Sequence, residues 1–328
     1  MVKTVRCHSL GGPEVLQFEH LPVREPELGE VKLRVEAVGL NRAESMYFHG
    51  HYMEQPELPS RLGYEAVGIV EAVGADVDAG LVGKRFGTVP GYSMNKYGVL
   101  AEEAIVPAQM LVALPEKFSV VEGAAVWMQY LTAYGALKLF GEIVPEDFVI
   151  IPAASSSVGL AAIQLVKAEG AKSIAATRTS AKREELLKLG ADFVIVTGEE
   201  DLPSRVMEIT GGKGARLIFD PVGGPYVEKL AEAAAPEGII FLYGGLSGQP
   251  TMFPIANFRK ALSLRTYVLL QLWDKPGRME EAQRYVNERL ADGRFVPKVA
   301  KTFPFAQTRE AYEYLESNQQ IGKVVITF

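Results

Sequence analysis

The chain has 328 residues, 48% of them hydrophobic and 23% charged, with a formal net charge of -6, which is more apolar sequence than one ordinary core holds and points to two domains. The negative charge, with no basic tract to offset it, excludes nucleic acid as an expected partner, and the single cysteine, Cys7, excludes an internal disulfide and a cysteine-rich zinc site. Residues 1–16 lack an apolar signal core and no apolar run approaches the roughly 18 residues that cross a membrane, so a soluble, cytoplasmic protein without a membrane partner is expected.

The first third reads as β-rich. Residues 31–38 and 66–73 alternate apolar and polar side chains, the pattern of half-buried strands, and short Gly- and Pro-containing turns separate such pieces. Near residue 123 the pattern changes to alternating strands and helices. Residues 148–151 form a continuous apolar strand, 158–168 carry apolar residues at helical spacing, and Gly170 fits a helix stop. Further strands are expected at 173–177, 193–196, 216–219 and 238–243. Helices are expected after Ser180, which suits an N-cap, and at 201–210 and 225–235. Repeated βα units imply a parallel sheet covered on both faces. Beyond about residue 265 the pattern loosens, with helices at 280–290 and 308–316 and a last strand at 323–328; this tail is expected to return to the first domain and complete it.

The strand at 148–151 runs into Ala154-Ser155-Ser156-Ser157-Val158-Gly159 and then a helix. Written on the dinucleotide fingerprint Gly-x-Gly-x-x-Gly, the three glycine slots hold Ala154, Ser156 and Gly159. Small residues still let backbone N–H groups approach a pyrophosphate at a helix N-terminus, and serine hydroxyls can donate to phosphate oxygens. An N-capping serine cluster on an ordinary βα turn is the alternative. NAD-binding proteins place an acid about 20 residues further on. Here Arg178 stands there, with Thr179, Ser180, Lys182 and Arg183 beside it, a set that suits the 2′-phosphate of NADPH. A solvated helix start is the other reading, although positive charge there opposes the helix dipole.

Together these residues resemble the medium-chain dehydrogenase/reductase superfamily, in its zinc-free NADPH:quinone oxidoreductase branch, over nearly the whole chain. Gly39-Leu40-Asn41 and Gly50-His51-Tyr52 look like that branch's active-site stretch. Gly63-Tyr64-Glu65-Ala66-Val67-Gly68, Leu131-Thr132-Ala133-Tyr134, Asp220-Pro221-Val222-Gly223-Gly224 and Gly322-Lys323-Val324-Val325 are similar to later signatures. The resemblance implies an α/β chain with a GroES-like β-barrel catalytic domain, 1–123 completed by 266–328. It also implies a Rossmann doubly wound parallel-sheet domain for NADPH, 124–265, and a homodimer. Positions matching the zinc ligands of metal-dependent relatives hold Asn41, Tyr64 and Met128, with Glu65 nearby, so no metal is expected; the His49-Gly50-His51 pair lacks a third ligand.

Without a Lewis acid, simple alcohol dehydrogenation is disfavoured, and a quinone or activated alkene is the expected acceptor. Asn41 is expected at cofactor or acceptor oxygen, and Tyr52 as hydrogen-bond donor or proton source, with loop packing as its alternative. Met46 stands where many relatives have tyrosine, and Tyr47 can compensate. By resemblance Thr132 lies near the nicotinamide ribose. Ala154, Ser155, Ser156, Ser157, Val158, Gly159, Thr177, Arg178, Lys182, Thr197, Tyr243, Gly244, Leu270, Gln271 and Lys323 complete the expected cofactor set. Trp127, Met128 and Tyr130 read equally as acceptor-pocket wall or as core. The leading activity is hydride transfer from NADPH to a quinone. A double-bond reductase for enals, enones or enoyl thioesters is the alternative, and a non-catalytic NADPH-binding sensor or structural protein is the reading from another class.

Overall fold

A computed structural model describes residues 1–115 and 117–328. Its contacts divide the chain into two units, Met1–Met128 with Pro297–Phe328, and Gln129–Val296.

The first unit opens with β1 (Val2–Cys7), β2 (Leu16–Leu21) and β3 (Glu30–Leu40), then α1 (Arg42–Phe48), β4 (Ser60–Arg61), β5 (Ala66–Val73) and β6 (Arg85–Thr88). After these come α2 (Met94–Tyr97), β7 (Glu103–Pro107), β8 (Leu111–Val112), α3 (Val120–Gly123) and the start of α4 (Trp127–Ala133), whose residues from Gln129 on belong to the second unit. Strand β3 is the hub, pairing antiparallel with β5 and β7. Its Val31, Leu33, Val35 and Ala37 are buried while Arg34 points out, the two-residue period expected of a strand with one wet face.

The second unit holds β9 (Phe148–Ile151), α5 (Ser157–Ala168), β10 (Lys172–Thr177), α6 (Arg183–Lys188), β11 (Phe193–Val196), α7 (Leu202–Ile209), β12 (Ala215–Asp220), α8 (Tyr226–Ala233), β13 (Ala234–Leu242), β14 (Ser263–Thr266) and α9 (Arg278–Ala291). The sheet order is β11-β10-β9-β12-β13-β14, with every pairing parallel. This is the doubly wound arrangement, in which strand order reverses between β9 and β12. Both strands are short apolar runs because helices cover both faces; Ile150, Ile174, Ile195 and Ile218 share one core with Val206, Val227 and Leu230 from α7 and α8.

Two sequence expectations shift. Residues 266–296 belong to the second unit, since the Tyr267 hydroxyl donates to the Leu131 carbonyl at 3.3 Å and both Tyr285 and Arg289 of α9 hydrogen-bond Glu169. Only the end of the tail rejoins the first unit, through β15 (Val299–Pro304), α10 (Thr308–Glu316) and β16 (Lys323–Thr327). Ser180 starts a 3-10 turn, Ser180–Lys182, and α6 follows with Lys182 at its N-cap. Residues Tyr134–Phe140 form a π-helix that periodicity gave no sign of; a Cβ at Gly135 would lie 2.0 Å from the Tyr267 hydroxyl.

Candidate functional site

In the first unit, β16 runs antiparallel to the end of β3 and sets Val324 opposite Leu40 and Val325 opposite Gly39. This register carries Lys323 to Asn41, which follows β3 and N-caps α1. The Lys323 Nζ donates to Asn41 Oδ1 at 2.5 Å and to Glu65 Oε2 at 2.6 Å, and the Lys323 and Glu65 side chains have no exposure. The other Glu65 oxygen accepts the backbone N–H of Trp127 at 2.6 Å and of Met128 at 3.1 Å, capping the start of α4. On the other side, Asn41 Nδ2 donates to the Gly39 carbonyl at 3.0 Å and to Glu44 Oε1 at 3.3 Å. Glu44 accepts the N–H of Asn41, closing a capping box on α1, and its Oε1 accepts the Tyr64 N–H at 3.2 Å. Burial pushes the Glu44 carboxyl up to about 7 against the pull of the Lys323 charge and of these donors.

Asn41 thereby differs from its sequence reading. Both amide hydrogens and one oxygen lone pair are committed inside the protein, so it has no donor left for an acceptor oxygen. Lys323 likewise stands buried in this network. Tyr47 does not compensate for Met46: it is fully buried and bonded to Ser60 and Asn95. Tyr52 is half-buried, its ring 6.2 Å from that of Tyr64, which lies 5.8 Å from that of Tyr92. Burial pushes the Tyr52 hydroxyl up to about 12. The Tyr64 hydroxyl donates to Glu54 at 3.2 Å and is raised first by burial and then by Tyr52 and Glu54. Trp127 and Tyr130 are core residues, whereas Met128 is half-buried.

In the second unit the turn between β9 and α5 shows why only its last glycine slot is glycine. A Cβ at Gly159 would come within 2.8 Å of the Ala154 backbone. At Ser156 φ is -68°, which any residue adopts, and its hydroxyl accepts the Gly159 N–H at 3.0 Å as the cap of α5. The left-handed position is Ala153, at φ +48°. Lys182 reaches back to this turn, its Nζ donating to Ser155 Oγ at 3.0 Å. Burial and then the neighbouring Arg178 charge lower the Lys182 ammonium, and Arg178 is exposed with no ion pair among the described residues. Two cations beside a serine-rich helix start form a ready site for a dianion. At the same carboxyl edge of the sheet the Tyr243 hydroxyl and Gln271 Oε1 are buried without a partner among the described residues, the condition of groups that await a ligand. Ser157, Val158 and Thr177 are half-buried around the turn, Thr132 is buried on α4, and Leu270 is exposed. At Gly244 a Cβ would lie 2.6 Å from the Pro221 carbonyl, which makes it a packing glycine as well. Thr197 is otherwise engaged, its N–H and hydroxyl both donating to the Thr177 carbonyl.

Two family matches cover these units: an alcohol dehydrogenase GroES-like domain over residues 27–116 and a zinc-binding dehydrogenase domain over residues 157–286. Quinone oxidoreductase 1 of Escherichia coli K12 is 32% identical over 99% of both chains. The chain belongs to the medium-chain dehydrogenase/reductase superfamily, in its quinone oxidoreductase branch. A solved Escherichia coli quinone oxidoreductase complexed with NADPH superposes with a TM-score of 0.93 at 32% identity, covering 99% of this chain and 100% of that one. A 2-haloacrylate reductase from a Burkholderia species is 28% identical over 99% of both chains.

In this oxidoreductase the segments around Asn41, Tyr64 and Met128 converge on an ammonium and two carboxylates. Sequence reasoning weighed Glu65 only as a lone zinc ligand and passed over Glu44. Glu44 had a signal, the Asn-x-x-Glu spacing of a capping box. The Lys323 partnership had none, because it joins residues 258 and 282 positions apart.

Proposed function

We propose that this oxidoreductase uses NADPH to reduce a quinone, without zinc. The observation that carries the reading is the Arg178–Lys182–Ser155 cluster at the start of α5 and the end of β10, together with membership of a branch whose Escherichia coli relative was solved with NADPH. When bound, NADPH supplies the hydride. Arg178 and Lys182 hold the 2′-phosphate as a fork and a point charge, and the N-terminus of α5 with Ser155 and Ser156 takes the pyrophosphate. The orphaned Tyr243 hydroxyl and Gln271 oxygen offer one donor-acceptor and one acceptor to the ribose and nicotinamide portion.

On the acceptor side Tyr52 carries the polar contact. Its hydroxyl is protonated at neutral pH, as an ordinary tyrosine is, and burial raises it further, so it donates a hydrogen bond to the acceptor carbonyl as negative charge grows there. The zinc-independent reading rests on donors: Asn41 Oδ1 and Glu65 already grip an ammonium, and a thioether and a phenol are the remaining candidates. Reduction of an activated carbon–carbon double bond is the second reading, favoured by the 2-haloacrylate reductase similarity. We further propose a cytoplasmic homodimer. Met252, Phe253, Ile255 and Phe258 are exposed beside the edge strand β14, and a second copy would cover both. None of the described helices is long and apolar enough to cross a membrane.

The test is loss of NADPH absorbance with benzoquinone, phenanthrenequinone and a simple enone offered in parallel, repeated with NADH. NADPH-selective turnover of a quinone is the expected result. Turnover of the enone alone would replace the quinone with the alkene, and tight NADPH binding with no turnover would favour the sensor reading.

A further inference from the structure

We infer that Lys323 is a positioning residue, whose ammonium closes a buried hydrogen-bonded chain, Glu44–Asn41–Lys323–Glu65, that sets the backbone of Tyr64 at one end and of Met128 at the other. The chain can be followed atom by atom. The Tyr64 N–H donates to Glu44, Asn41 Nδ2 donates to Glu44, Lys323 Nζ donates to both Asn41 and Glu65, and the Met128 N–H donates to Glu65. Three segments far apart in sequence are tied together in this way. A lysine from β16 supplies the central positive charge.

The backbone is shaped to admit that lysine. A Cβ at Gly39 would sit 1.9 Å from the Ala124 carbonyl and 2.7 Å from Lys323 Cε, so no other residue lets the side chain through. Gly322 turns the chain into β16 at φ +107°, where a Cβ would lie 2.3 Å from the Lys298 carbonyl. The Gly39-x-Asn41 and Gly322-Lys323 signatures are thus two halves of one buried contact. Lys323 does not reach solvent, so it acts on the acceptor through Tyr64, whose ring lies 6.2 Å from that of Tyr52, and through Met128; this deepens the proposed function and rests on Tyr52 contacting the acceptor there.

The experiment compares Lys323→Met, Asn41→Ala and the double variant Lys323→Met/Glu65→Gln, which leaves no buried charge unpaired yet keeps an acceptor for the Trp127 and Met128 N–H groups. Steady-state kinetics, the NADPH dissociation constant and amide hydrogen exchange are read on each. Lys323→Met is expected to raise the acceptor KM by about tenfold or more while the NADPH dissociation constant stays within about twofold. The double variant is expected to regain thermal stability and to keep the raised KM. Exchange at Tyr64 and Met128 is expected to quicken by about tenfold in all three, with β9 and β10 unchanged. A double variant with wild-type KM would overturn the inference, because Lys323 would then merely neutralise Glu65. Unchanged exchange at Tyr64 and Met128 in Asn41→Ala and in the double variant would overturn it as well. If Lys323→Met does not fold, those two variants carry the test. A wild-type enzyme that turns over no acceptor would sink the proposed function and leave the exchange measurement to decide the relay.

Discussion

In the first unit Lys323 and Glu65 lie at zero exposure with both charges matched by hydrogen bonds, whereas in the second unit, among the described residues, Arg178 stands exposed without an ion pair and repels Lys182, while Tyr243 and Gln271 keep buried polar atoms unpartnered. The contrast separates two uses of polar groups. Matched and buried, they hold backbone in place; unmatched and gathered at the carboxyl edge of a parallel sheet, they are open to the cofactor that the proposed function puts there.

The comparison breaks most visibly if one partner of the matched set is removed. Glu65→Leu leaves the buried Lys323 ammonium without its carboxylate partner and with Asn41 as its remaining acceptor, and is expected to cost about 3–5 kcal/mol of unfolding free energy in urea titration; a loss below about 1 kcal/mol would mean that the network is not truly closed to water.

Glu44 tests the same region through pH. Its carboxyl is raised from an ordinary 4.5 to about 7, first by burial, so the folded state binds the proton more tightly than the unfolded chain. Stability should therefore fall as pH rises from about 4.5 to about 7 and level off above it, by up to about 3 kcal/mol. Glu44→Gln removes that slope, and its stability relative to wild type should improve steadily across the window. A difference between the two proteins that does not vary with pH would contradict the raised carboxyl.

The unmatched set answers to a different measurement. Arg178→Ala should weaken NADPH by about 10–100-fold and NADH by less than about threefold, with the unfolding midpoint unmoved. Equal losses for both cofactors would remove the 2′-phosphate assignment. The smallest effect is expected at Tyr52→Phe, a fall of about 5–10-fold in kcat/KM at constant NADPH affinity, the value of one hydrogen bond to a developing negative charge. No change would return Tyr52 to a packing role.

The parallel sheet was legible because its strands are short apolar runs: the expected spans 148–151 and 193–196 are those of β9 and β11. The place of Arg178 and Lys182 just past β10 was legible for a related reason, since a fixed count from the serine-rich turn after β9 locates the end of β10. The buried relay was not. Hydrophobic periodicity says which residues go inside, and charged residues that go inside do so only through partners that the fold supplies from far along the chain. Asn41 illustrates the gap: its place was foreseen, but its side-chain hydrogens proved to be spent on Gly39 and Glu44. The π-helix at Tyr134–Phe140 likewise packs Gly135 against Tyr267, a contact over a long sequence separation.

Gly39 has a consequence for how such a chain can change over time. Because a Cβ at 39 would meet both the Ala124 carbonyl and the Lys323 side chain, the dependence runs one way: alanine at 39 displaces the lysine, whereas a shorter residue at 323 leaves Glu65 without its counter-charge but does not free position 39 from Ala124. Among diverging copies of this gene lysine at 323 should therefore be found only beside glycine at 39, while glycine at 39 can outlast the lysine.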